Sequence, residues 1–143
     1  MSRPDDKGAA TIEFVWLSLL LLVPLVYVLL AVFDTQRAAY GVSAASRAAA
    51  QAFLQADDAA SGETSARLAA RVALDDQGLD AGTVQVTCLP SPAECLQPGS
   101  SVRVVVRATQ PLPLTPSALG PRLGGVTVDS THTESYGSYR SSR

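Results

Sequence analysis

Val15–Phe33 is a run of nineteen residues without a formal charge, and it sets the solvent in which this part of the chain folds. As a helix at ~1.5 Å per residue it spans about 28 Å, close to the ~30 Å hydrocarbon core of a bilayer. Lipid offers no hydrogen bonds, so every backbone N–H and C=O must be satisfied within the segment. A single helix is the expected form. Only Ser18 and Pro24 interrupt the Leu, Val, Ala and aromatic composition. Pro24 removes one N–H from the ladder and predicts a kink, which membrane helices tolerate. Trp16, near one end, suits a membrane–water interface. The run from Val15 to Phe33 therefore reads as a transmembrane helix.

Three kinds of protein carry such a run. A cleaved secretory signal has a shorter apolar core and a small-residue site soon after it. Here Asp34-Thr35-Gln36-Arg37 follows Phe33, and Val42-Ser43-Ala44 lies too far along. An ordinary signal anchor fits both length and position. The flank separates it from the third kind. Glu13 gains ~0.3–1 kcal/mol from the positive end of the helix dipole, but Ala10 rules out a capping box. The dipole explains a tolerated glutamate, not its spacing from Gly8. A carboxylate beside lipid with no local partner marks a functional site.

Lys7-Gly8-Ala9-Ala10-Thr11-Ile12-Glu13-Phe14 resembles the processing site of type IV pilin-like proteins, a class III signal peptide. The chain resembles a TadE-type pseudopilin, or minor pilin, of the tight-adherence (Flp pilus) system of bacteria. The resemblance implies residues 1–8 as a prepilin leader with Arg3 and Lys7 as its basic residues, and Gly8–Ala9 as the bond cut by a prepilin peptidase. Residues 9–33 become the transmembrane and assembly helix, with Glu13 as fifth residue and Phe14 as the aromatic after it. It further implies that Glu13 pairs with the α-amino group of a neighbouring pilin or pseudopilin subunit, offsetting the burial of a charge. A glycine suits the cut because it has no side chain to obstruct a protease. The match is strict over about the first thirty residues only.

Charge counting leaves the orientation open, because Arg3 and Lys7 before the span are balanced by Arg37 and Arg47 after it. The short leader, the resemblance and the cysteines favour a cytoplasmic N-terminus and an extracytoplasmic domain over 34–135. Cys88 and Cys95, the only two cysteines, have six residues between them. Outside the cytoplasm an even count reads as one disulfide; inside, as two reduced thiols.

Beyond the span, Ala38, Val42, Ala45, Ala49, Ala52 and Ala56 recur at alternating spacings of four and three. This narrow stripe continues the helix, giving a spine from about Ile12 to Gln55, some 65 Å long. Its half near Phe53 is expected in the domain's own core, and the half nearer the span against other subunits. The segment 57–62 breaks the helix. A second helix is predicted from Glu63 to Asp76, on the pair Leu68 and Val72 with Ala69 and Ala73 beside them, and Gly78 is its stop. After Asp80 the period becomes two. Val84, Val86 and Cys88 share a face; Val102, Val104, Val106 and Ala108 point inward with Arg103 and Arg107 outward; Val126 and Val128 alternate similarly. The fold class is α+β: a long N-terminal helix, a short second helix and an antiparallel sheet of about three strands. Breakers fill 111–116 and 120–125, and residues 136–143 form a flexible tail.

Little points to catalysis. The sole histidine, His132, lies in a Thr/Ser-rich strand end without a recognisable partner. Asp57/Asp58 and Asp75/Asp76 are adjacent pairs at helix ends without calcium-loop spacing. Two cysteines and one histidine make no convincing metal set, no glycine-rich phosphate loop is present, and no cofactor is expected. Arg103 and Arg107 at a net charge of −2 give no basis for nucleic-acid binding. The reading is a non-enzymatic membrane subunit for pilus assembly, serving adhesion, secretion or DNA uptake. The rival is a single-pass anchored binding protein, and the weaker rival a secreted domain.

Overall fold

A computed structural model describes residues 7–80, 82–112 and 125–137. Its elements are α1 (Lys7–Leu54), α2 (Ala59–Asp75), β1 (Thr83–Leu89), β2 (Ser101–Pro111) and β3 (Gly125–Ser135). The α+β class is as read, with one long helix, a second helix and a three-stranded antiparallel sheet in the order β1-β2-β3.

α1 is 48 residues long and runs through Pro24 without a break, so it extends about 72 Å. Its two halves live in different surroundings. From Ala38 onward it packs: Ala38, Val42, Ala45, Ala49, Ala50 and Phe53 are buried. This corrects the expected division of the alanine stripe. Ala38, Val42 and Ala45, assigned to contacts with other subunits, lie in the domain's own core, while Ala52 is only half-buried.

α2 begins four residues earlier than predicted, at Ala59 rather than Glu63. The reason is a capping box that the polar run concealed. Asp58 Oδ1 accepts from Ser61 N–H at 2.8 Å, and Ser61 Oγ accepts from Asp58 N–H at 3.4 Å. At the other end Gly78 (φ +65°) is the stop, as read. Gly78 N–H donates to Asp75 O at 2.8 Å and Leu79 N–H to Leu74 O at 3.0 Å. Both bonds of a Schellman closure are present, with Leu74 and Leu79 buried across it.

The helices run antiparallel, Phe53 meeting Gly62 near one end and Gly41 meeting Gln77 and Leu79 near the other. Gly62, Ala66, Ala70 and Leu74 form the buried face of α2. Leu68 and Val72, on which the helix was predicted, are 63% and 54% exposed. The close crossing selects small residues and leaves the larger ones outside.

The sheet lies beneath the helices, with α1 over β2 and β3. Val102, Val104, Val106 and Ala108 face the helices and are buried, while Arg103 and Arg107 face solvent. Cys88 is buried at the end of β1, and its partners on that face, Val84 and Val86, are half-buried. Tyr136, read as part of a flexible tail, is buried and its N–H donates to Ser100 O at 2.8 Å. The breaker-rich connection lies mostly outside the described residues, as do residues 1–6 of the leader and 138–143 of the tail.

Candidate functional site

Membrane-length apolarity and a single carboxylate meet at the start of α1. The helix is long and apolar enough to cross a membrane, and its most apolar window has no buried share. Phe14, Trp16 and Phe33 are 70%, 68% and 66% exposed. So continuous an apolar surface far exceeds the few hundred Å² that soluble monomers expose. Among the described residues nothing buries it, so lipid or other proteins are its natural cover.

Gly8 and Ala9 stand in the first turn of α1, which begins at Lys7. Helix first turns lack intrahelical partners for their N–H groups, so the backbone around Gly8–Ala9 is the least secured part of α1. Glu13 lies one helical turn further on, with Phe14 beside it and Trp16 above. Open grooves flank Trp16, one lined by Thr11, Ile12, Val15 and Leu19, the other by Ile12, Glu13, Leu17 and Leu20. One helix forms both, so they are surface relief rather than pockets. Among the described residues Glu13 has no ion-pair partner. The C-terminal end of the apolar run is marked by Asp34, which pairs with Arg37 at 3.6 Å, and by Thr35, whose hydroxyl donates to Ala31 O.

Cys88 and Cys95 form a disulfide, Cα–Cα 5.4 Å. It closes the loop after β1 and packs its sulfurs with Leu96 against the core.

The polar seam between α1 and β3 was only partly visible in the sequence. Ser46 Oγ donates to Ser43 O at 3.0 Å and lies 3.2 Å from Ser130 Oγ, so Ser130 supplies the proton between them. His132 Nε2 donates to Glu134 Oε2 at 2.9 Å, a partner that sequence reading missed. The signal for it was the two-residue strand period, which puts Ser130, His132 and Glu134 on one face. That trio invites comparison with a hydrolase site, but Ser130 and His132 are engaged with different partners. Ser130 bonds Ser46, and His132 bonds Glu134. With β3 at the edge of the sheet, the helix-facing His132 and Glu134 act instead as inward polar groups that discourage edge-to-edge association. Among the described residues no group of three or more His, Cys, Asp or Glu is placed to hold a metal. The aspartate pairs remain at the ends of α2, where Asp58 acts as the cap.

Compared with protein-family models, curated proteins and solved structures, the chain matches none.

Proposed function

We propose that the chain is a membrane-inserted pseudopilin or minor pilin of the tight-adherence type, processed by a prepilin peptidase at Gly8–Ala9 and assembled through its N-terminal helix. The observation that carries this reading is the bare apolar half of α1, headed by Glu13 five residues after Gly8. A core helix of a soluble domain would be buried there. An ordinary anchor has no need of a carboxylate at that spacing. The packed half of α1 supports the same division of labour, since it holds an α+β domain rigidly on the span. The disulfide fits a domain exposed to an oxidising compartment, which supports a cytoplasmic N-terminus.

Glu13 then has one role: its carboxylate receives the α-amino group of a neighbouring subunit once the helices leave lipid for a protein bundle. Other subunits and the peptidase are the partners. Mass spectrometry of the mature N-terminus tests the reading in cells carrying a prepilin peptidase. A start at Ala9 supports it, a start at Met1 supports a permanently anchored binding protein, and a start beyond Phe33 supports a secreted domain. Replacing Gly8 with a bulky residue should block the cut, and normal maturation of that variant would refute the assignment. Glu13→Ala should leave cleavage largely intact while reducing recovery of the subunit in sheared surface fractions by tenfold or so, the effect of ~1.4 kcal/mol.

A further inference from the structure

We propose that, before any assembly, the inner headgroup layer of the bilayer is the binding partner of Glu13, and that the span is registered so that the carboxylate never enters the hydrocarbon. This rests on the membrane-spanning part of the reading above and not on the pilin assignment. The outer boundary is fixed by three consecutive polar residues, Asp34-Thr35-Gln36, ahead of the first buried core residue, Ala38. Gln77 and Leu79 of the α2–β1 turn meet Gly41, about 12 Å beyond Phe33 along the helix, so the polar residues rather than the domain set this boundary.

Two registers are then possible for the inner end. Glu13 and Asp34 are twenty-one residues apart on one continuous helix, which is about 32 Å. A tilt of about 20°, the average for membrane helices, brings this to about 30 Å, the thickness of the hydrocarbon core. In that register the two carboxylates bracket the lipid. The other register puts Lys7 at the inner boundary and immerses Gly8–Phe33, about 39 Å of helix. Fitting that length demands a tilt near 40°, the end of the observed range, and places a carboxylate in hydrocarbon without a partner. The first register needs neither.

Trp16 supports it independently. Three residues above Glu13, its ring projects 68% exposed from the helix, at the depth where Trp is enriched in membrane proteins. Gly8–Ala9 then falls about 7 Å outside the hydrocarbon, at the aqueous edge of the headgroup layer. A substrate bond for a membrane protease is therefore presented from the water side.

The chain has a single tryptophan, so its emission reports this depth directly. The full chain is reconstituted in phospholipid vesicles containing lipids brominated either next to the headgroup end of the acyl chains or near their methyl ends. Headgroup-end bromines should quench Trp16 at least about twofold more strongly, as for an interfacial ring. Equal or reversed quenching overturns the proposal. Glu13→Leu extends the apolar stretch towards Ala9 and should shift the ratio towards the deep label; an unchanged ratio would assign the register to Trp16 alone and overturn the part given to Glu13. A Met1 start of the mature chain would remove the pilin assignment and leave this result standing.

Discussion

Asp58 holds the start of α2 through one carboxylate oxygen, and Ser61 N–H is the group it satisfies. That backbone hydrogen bond, with Ser61 Oγ–H and Ala60 N–H adding to it, holds the Asp58 carboxyl below its ordinary value of 3.8. A carboxyl lowered on folding stabilises the fold fully above its unfolded value. The contribution is lost as the pH falls through the lower, folded value. Asp58→Ala should therefore lower the thermal midpoint at neutral pH and speed amide exchange at Ser61 and Gly62, while Asp58→Ser restores most of the loss. The variant and parent should converge as the pH is taken below the carboxylate range. A constant gap down to strong acid would show that the side chain acts otherwise than as an ionised cap. Gly82 makes a harder test at the same scale. A Cβ there would run into the Arg107 carbonyl, a backbone atom with no rotamer to yield. Gly82→Ala should destabilise by about 1–3 kcal/mol in urea unfolding, the usual effect of overpacking.

In α2 the two faces invert what residue size alone suggests. Ala66 and Ala70 are fully buried, while Leu68 and Val72 stand in solvent. Ala70→Leu should cost about 1–3 kcal/mol because the close α1–α2 crossing has no room for it. Leu68→Lys should change stability by no more than about 0.5 kcal/mol. Urea unfolding of both variants decides the matter, and the reverse order would mean that the larger residues carry the core. The same contrast explains what the sequence reveals and what it hides. β2 was legible because Val102, Val104, Val106 and Ala108 alternate with exposed Arg103 and Arg107, and only one face of such a strand can be buried. The Gly78 stop was legible because a left-handed backbone asks for glycine. The packed face of α2 was not, since alanines read as filler until a second helix lies against them. The Asp58 cap was hidden in a polar run, and the His132–Glu134 contact needed the register of β3 to be seen. At the head of α1 the sequence showed Gly8, Glu13 and Phe14 by spacing alone, whereas the proposed depth of Glu13 rests on the helix running unbroken from there to Asp34, which the structure shows.

At the scale of the whole molecule, α1 joins two bodies that obtain their stability from different solvents. Among the described residues everything buried lies at or beyond Ala38, and the large apolar side chains below it are exposed. The α+β unit should therefore fold without the span. A chain beginning at Asp34 keeps the complete core, both ends of α2, all three strands and the disulfide, and loses only surface that lipid would cover. It should be monomeric, helical by circular dichroism, and within a few degrees of the midpoint that the full chain shows in detergent. Collapse of the truncated chain would mean that the lower half of α1 is part of the cooperative unit. The disulfide gives the complementary measure, because it closes only the loop from Cys88 to Cys95. A loop of that length constrains the unfolded chain by about 2–3 kcal/mol, or about 10–20 °C in midpoint for a domain near one hundred residues. Reduction should lower the truncated and full chains by the same amount, since the loop packs on the core far from the span. A larger drop in the full chain alone would show that membrane half and domain are coupled through more than the continuous helix.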